Sequence, residues 1–193
     1  MRPIGVGEVI RRIAVKAVMS LVKGDVQQAT GSLQVCVGQP GGCEAAIHAM
    51  RSIYEDDNTD ALLLIDAANA FNSLNKEAML SNIKNLCPIV YIYAFNCYAV
   101  QARLFVTGGK EISSKEGTPQ GDPPSMAFYA IGLMPLILRH ASSQQTEKAK
   151  QAGFADDLQA GAKIPALRHY FVVSFTTARC MATMLNQLRV SWL

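Results

Sequence analysis

ALLLIDA, residues 61–67, is a short apolar run of strand length with one carboxylate, Asp66, near its end. Such a run predicts a buried strand, and an unpaired acid there costs several kcal/mol, so Asp66 reads as a group with a task. AGFADDLQAGA, residues 152–162, carries a second acidic feature, Asp156-Asp157, between short apolar stretches. Its small residues are poor strand formers, so the pattern rather than propensity predicts strand, turn, strand. The chain holds its own control: Asp56-Asp57 lie in the polar run EDDNTD (55–60), where water solvates both charges. If the strand of Asp66 lies beside the Asp156 turn, three carboxylates converge, and a divalent cation is the cheapest way to keep them ionised. His48, His140, His169 and the cysteines sit elsewhere along the chain, which leaves oxygen donors and favours magnesium or manganese over zinc. Two such ions suit displacement at phosphorus. Spacing alone keeps unrelated surface acids as the alternative.

Outward from this centre the chain alternates helical and extended patterns. Residues 2–22 predict an amphipathic helix with Ile10, Ile13, Ala14, Ala17, Val18 and Leu21 on its apolar face and Arg11, Arg12 and Lys16 on solvated faces. GQPGG (38–42) is a loop, and EAAIHAMRSIY (44–54) a second helix. After the first strand, Asn72 to Leu86 has helical spacing and Pro88 stops it, while 89–100 is apolar enough for a buried helix. RLFVTGGKEIS (103–113) predicts a hairpin turning tightly at Gly108-Gly109. EGTPQGDPP (116–124) is an irregular loop opening an apolar helix, Ser125 to Leu138, and SSQQTEKAKQ (142–151) is a polar linker.

With 193 residues, 50% of them hydrophobic and only 17% charged, the chain can bury the core of one domain and is no disordered segment. A net charge of +3 permits an anionic partner without demanding one. The five cysteines, Cys36, Cys43, Cys87, Cys97 and Cys180, are odd in number and form no Cys-x-x-Cys pair, so they read as reduced core thiols. The start lacks the plan of a signal peptide, and the longest apolar stretch, Met126 to Leu138, falls short of the roughly 18 residues that span a bilayer. An intracellular protein, in cytoplasm or nucleus and without membrane contact, is expected.

Four blocks stand in a telling order: RPIGVGEVIRRI (2–13), LLLIDAANAFNSLNK (62–76), EGTPQGDPPSMAFYA (116–130) and GFADDLQAG (153–161). Through them the chain, from Arg2 to about Arg168, resembles the fingers–palm core of a retroelement reverse transcriptase, nearer to elements without long terminal repeats than to retroviruses. The resemblance implies an α/β (α+β) fold: a polymerase palm with an antiparallel sheet backed by helices, plus partial fingers. The fingers would cover 1–60, the palm 61–168, and an atypical tail 169–193. It further implies RNA-directed DNA synthesis with two Mg2+ (or Mn2+) ions, an RNA or DNA template with primer, and deoxynucleoside triphosphates.

Residue by residue, Asp66 and Asp156 match the catalytic metal-binding carboxylates, the carbonyl of Ala67 an extra ligand, and Asp157 the adjoining acid near the primer end. Phe71 matches the aromatic ring under the incoming sugar, which excludes a ribose 2′-hydroxyl. Gln120 matches the amide that touches the nucleotide, Gly121 the bare backbone beside the template, and Arg2 the arginine on the triphosphate. Departures exist: Phe154 stands where the family usually has Tyr, the lysine upstream of Arg2 is missing, and nothing matches primer grip or thumb. A catalytically inactive remnant with at most nucleic-acid binding is therefore the alternative. A cyclase-type palm is disfavoured, because no Gly-Gly-Asp/Glu-Glu-Phe-like turn is present. The tail after Leu167 does not resemble the family's next block. A reading frame displaced by two bases through Met181 to Gln187 permits GYNAKP, which does, so the tail reads as a frameshifted translation that the nucleotide sequence can test.

Overall fold

The computed structural model describes residues 7–67, 69–142, 149–180 and 188–192. Helices α1 (Val9–Leu21), α2 (Lys23–Thr30) and α3 (Gly42–Tyr54) precede β1 (Ala61–Ala67). Then come α4 (Ala70–Ser73), α5 (Lys76–Leu86), a 3-10 turn (Pro88–Val90) and α6 (Tyr91–Tyr98). The hairpin β2 (Ala102–Val106) and β3 (Lys110–Ser114) leads to α7 (Ser125–Ser142), the hairpin β4 (Lys150–Phe154) and β5 (Asp157–Ala162), α8 (Ile164–Cys180) and β6 (Leu188–Trp192). The predicted mixed α/β architecture, an antiparallel sheet backed by helices, is what forms.

The main sheet runs β4-β5-β1-β6 with every pairing antiparallel. In β1, side chains alternate: Leu63, Ile65 and Ala67 are buried, while Leu62, Leu64 and Asp66 are half-buried. The predicted buried strand is thus buried on one face and half-buried on the other. The face of Leu63 and Ile65 continues into β5, whose Leu158, Ala160 and Ala162 join the same core.

 In register, Leu63 faces Ala160 and Ile65 faces Leu158, so these residues share one side of the sheet. Helix α7 lies under that side; it is apolar nearly all round and buries Phe128, Tyr129, Ile131, Leu136 and Ile137, as a central helix must. On the other side α3 covers β4 and β5 through Met50 and Ile53, which pack with Ala152 and Leu62.

Several elements depart from their sequence reading for identifiable reasons. The helix expected over 72–86 is two: α4 ends where Leu74 turns extended, and Asn75 caps α5 by accepting from the Ala78 N–H at 2.8 Å. Only part of 89–100 is a buried helix, since α6 exposes Ile92 and Phe95. The β2–β3 loop has three residues rather than two, because Val106 pairs with Lys110 and both Gly108 and Gly109 take positive φ. Helix α1 presents the face opposite to the expected one: Ile10, Ile13 and Leu21 are 83%, 64% and 85% exposed, while Val15 is buried. Arg11, expected on a solvated face, instead pairs with the buried Asp122 carboxylate at 2.9 Å.

Asp56, expected in water, forms an ion pair with Lys150 of β4, which holds its carboxyl down at about 2. Among the described residues Cys36, Cys43, Cys87 and Cys97 are free; Cys87 lies in the core and Cys36 and Cys97 pack against it, while Cys43, expected there too, is exposed. Helix α8 runs across position 168, and β6 adds the tail to the edge of β1. No helix among the described residues is long and apolar enough to cross a membrane.

At the α7–α8 contact the buried His140 ring stacks on Tyr170 with centroids 3.9 Å apart, and its Nε2 lies 2.9 Å from Ser174 Oγ. Burial, then the nearby charges of Arg139 and His169, hold its pKa down at about 4. A histidine kept neutral by the fold stabilises it above the unfolded-state value of 6.5, and that contribution fades as pH falls towards about 4. Urea unfolding between pH 7 and pH 4 should therefore show a loss on the order of 2–3 kcal/mol that His140→Gln reduces.

Candidate active site

The antiparallel register places Asp66 of β1 directly opposite Asp157 of β5. Facing residues of such a pair point to the same side of the sheet with Cβ atoms about 4.5–5.5 Å apart, and like charges there destabilise it. Asp66 is half-buried, Asp157 exposed. Their side is the one opposite Leu63 and Ile65, so the same alternation that builds the core delivers both acids away from it. Ala67, next in β1, is buried.

Asp156 sits in the two-residue turn between Phe154 and Asp157, which pair across the hairpin. It is half-buried. The preceding Ala155 has φ 55°, a left-handed conformation that glycine adopts more cheaply. Gln34, fully buried in the segment before α3, clamps that residue: its Nε2 donates to the Ala155 carbonyl at 3.0 Å and its Oε1 accepts from the Ala155 N–H at 2.9 Å.

Tyr129 of α7 is buried, and its phenol is pushed up first by that burial and then by the carboxylates of Asp156, Asp66 and Asp157. It is a neutral hydroxyl within electrostatic reach of all three carboxylates. Phe71 of α4, buried, stacks on Tyr129 with ring centroids 4.5 Å apart and planes at 29°. Cys36 also lies near Asp156, and burial raises its thiol to about 11, so it stays protonated at neutral pH.

The loop of Gln120 and Gly121 is anchored on three sides. Gly117 N donates to Leu74 O and Thr118 N to Phe71 O, both at 2.7 Å, which ties the loop to α4. Ser125 Oγ donates to Pro119 O at 2.7 Å, bracing the start of α7. The buried Asp122 carboxylate accepts from the Tyr98 hydroxyl and from Arg11, joining the loop to α6 and α1. Gln120 is half-buried; Gly121 is exposed with φ 99°, the left-handed range that favours glycine. Arg2 lies outside the described residues.

Of the residues that sequence reasoning brought forward, Asp66 and Asp157 face one another, Asp156 lies in the adjoining turn and Phe71 stacks on Tyr129; Gln34, Tyr129 and the partners of Asp122 were missed. Asp122 had a signal in its place beside Gln120-Gly121. Gln34 had none beyond being a polar residue in SLQVCV (32–37).

Whether these groups suit a divalent cation is a question of donor chemistry. Among the described residues no three His, Cys, Asp or Glu side chains close on one point, so there is no all-protein cage. Magnesium commonly binds through one or two carboxylates plus substrate phosphates, and the donors here are oxygens, with the neighbouring sulfur kept as a thiol. The residues fit that mode.

The loop's seat on α4 is sterically tight. A Cβ on Gly117, at φ 71°, would lie 2.2 Å from the Phe71 carbonyl oxygen and 2.4 Å from Asn72 backbone atoms. Gly117→Ala should cost about 3 kcal/mol or more in chemical denaturation and loosen the loop carrying Gln120.

Solved structures extend the picture. Apo telomerase from Candida tropicalis, truncated from its C-terminal domain, superposes with a TM-score of 0.62 at 13% identity, over 95% of this chain and 41% of that one. Telomerase from Candida tropicalis in complex with a TWJ fragment of telomeric RNA gives 0.60 at 12% identity, over 92% and 33%. The Candida albicans complex with a TWJ fragment of telomeric RNA gives 0.57 at 10%, over 94% and 34%. The chain thus spans less than half the length of these neighbours. No family model and no curated protein sequence matches it. Telomerase being related to reverse transcriptases, the chain has a reverse-transcriptase-like fold.

Proposed function

We propose that the chain is the fingers–palm part of an RNA-directed DNA polymerase from a retroelement without long terminal repeats. The observation that carries this reading is the facing register of Asp66 and Asp157 beside the Ala155-Asp156 turn. The ordered sequence blocks and the telomerase-like fold support it. Two of the telomerase structures carry RNA, and a templating nucleic acid suits a net charge of +3.

In the reaction, a primer 3′-hydroxyl attacks the α-phosphorus of a deoxynucleoside triphosphate; the new P–O bond forms as the bond to pyrophosphate breaks. Asp66, Asp156, Asp157 and the Ala67 carbonyl would hold Mg2+ or Mn2+, which supplies activation of the attacking oxygen and neutralisation of the leaving one. The protein's own contribution is position. Strand pairing fixes Asp66 and Asp157, the clamped turn fixes Asp156, and the Phe71–Tyr129 stack forms a rigid floor on which a sugar bearing a 2′-hydroxyl meets the Phe71 ring. Gln120 and Gly121, on their anchored loop, face nucleotide and template, and Arg2 pairs with the triphosphate. A catalytically inactive remnant, retaining the fold and some nucleic-acid affinity, is the competing reading.

Primer extension on poly(rA)/oligo(dT) with Mg2+ or Mn2+ separates them. The polymerase reading expects incorporation that falls by about 10²–10³-fold in Asp156→Ala; no incorporation by the folded chain supports the remnant. Phe71→Ala should raise use of ribonucleotides relative to deoxynucleotides by about tenfold or more, read as the ratio of kcat/KM values.

A further inference from the structure

The segment ahead of α3 is stitched to the acidic hairpin by two kinds of bond. Along the backbone, Val35 N donates to Gly153 O at 2.9 Å and Gly153 N donates to Leu33 O at 2.8 Å. Through the side chain, both polar atoms of Gln34 are spent on one residue: Nε2 on the Ala155 carbonyl and Oε1 on the Ala155 N–H. Gln34 is 0% exposed, so no water replaces either bond. The approach is close, since a Cβ on Gly153 would lie 3.1 Å from Leu33 O and 3.2 Å from Gln34 Nε2.

What the clamp holds is unusual. Ala155 has φ 55°, and within the described residues only Asn69 joins it as a non-glycine residue at positive φ. An alanine there carries a steric penalty that glycine escapes, so the turn relaxes unless something outside the hairpin pins it. The next residue is Asp156, and a change in the Ala155 backbone angles swings its carboxylate. A carboxamide offers a donor and an acceptor side by side in one plane, which suits pairing with both backbone groups of a single residue.

We propose that Gln34 is a positioning residue: by pairing with both backbone groups of Ala155 it holds the left-handed turn that aims Asp156 at a bound divalent cation. This rests on the reading of Asp156 as a cation ligand. Gln34 touches neither cation nor substrate; it acts through the turn.

The test is Mn2+ binding to the full chain, followed by electron paramagnetic resonance without nucleotide or primer, with thermal melts to verify folding. Asp156→Asn in the wild-type background should weaken Mn2+ binding, and absence of any Asp156-dependent binding overturns the polymerase reading and the positioning role with it. Gln34→Leu keeps the apolar volume but removes donor and acceptor, and should weaken Mn2+ binding by about tenfold or more, the range for groups that orient a metal ligand. Adding Ala155→Gly, which relieves the strain at the turn, should recover part of that loss. Ile83→Ala, a core truncation in α5, should lower the melting temperature and leave the Mn2+ midpoint unchanged. If Gln34→Leu does not fold, Gln34→Asn, whose amide falls one methylene short, takes its place. A folded Gln34 variant that binds Mn2+ as tightly as wild type, while wild-type binding depends on Asp156, overturns the positioning role and leaves the polymerase reading standing.

Discussion

Two carboxylates on facing positions of adjacent strands repel one another, and the pairing of β1 with β5 imposes that arrangement on Asp66 and Asp157. The register cannot slip to relieve it. A shift by one residue would carry Leu63 and Ile65, both nearly fully buried, to the other face and drive Asp66 into the apolar core. Fully burying a leucine or isoleucine stabilises by about 1.5–3 kcal/mol each, and burying an unpaired charge costs several more, so the slipped sheet loses on both counts. Hydrophobic burial on one face thus sets acidic geometry on the other.

Around this constraint the fold uses buried polar groups as fasteners. Gln34 secures the turn of Asp156, and Asp122 gathers Tyr98 and Arg11 at the loop of Gln120 and Gly121. Each fastener joins segments far apart in the chain: Gln34 has both of its polar atoms paired, whereas Asp122 accepts both of its bonds on Oδ2 and leaves the buried Oδ1 without a partner among the described residues. Helix α1 meets the Asp122 node through Arg11 and buries Val15, while Ile10, Ile13 and Leu21 face outward.

Tyr129 links core and site. Its ring belongs to the apolar interior under the sheet and stacks on Phe71, while its hydroxyl feels Asp156, Asp66 and Asp157. A neutral phenol at this place adds no charge to an already anionic cluster, and the stack makes α4 and α7 a single rigid support. The loop at Gly117 and Thr118 closes onto the same support through the carbonyls of Leu74 and Phe71, so nucleotide-facing and acid-bearing elements share one foundation.

Local chemistry in the chain was enough to determine the strand carrying Asp66, the hairpin carrying Asp156 and Asp157, the glycine-proline loop and the apolar helix behind it, because each depends on short-range pattern and turn composition. The order of those blocks was enough for the family resemblance. What only the tertiary structure decided was everything that depends on which distant groups meet: the facing of Asp66 with Asp157, the outward turn of the α1 stripe, the clamp of Gln34 on Ala155 and the stack of Phe71 on Tyr129. A buried glutamine leaves no periodic trace, and an amphipathic pattern says that a helix has an apolar face without saying what lies opposite it. Those outcomes follow from competition among burial, hydrogen bonding and charge pairing across the whole molecule, which no local stretch encodes.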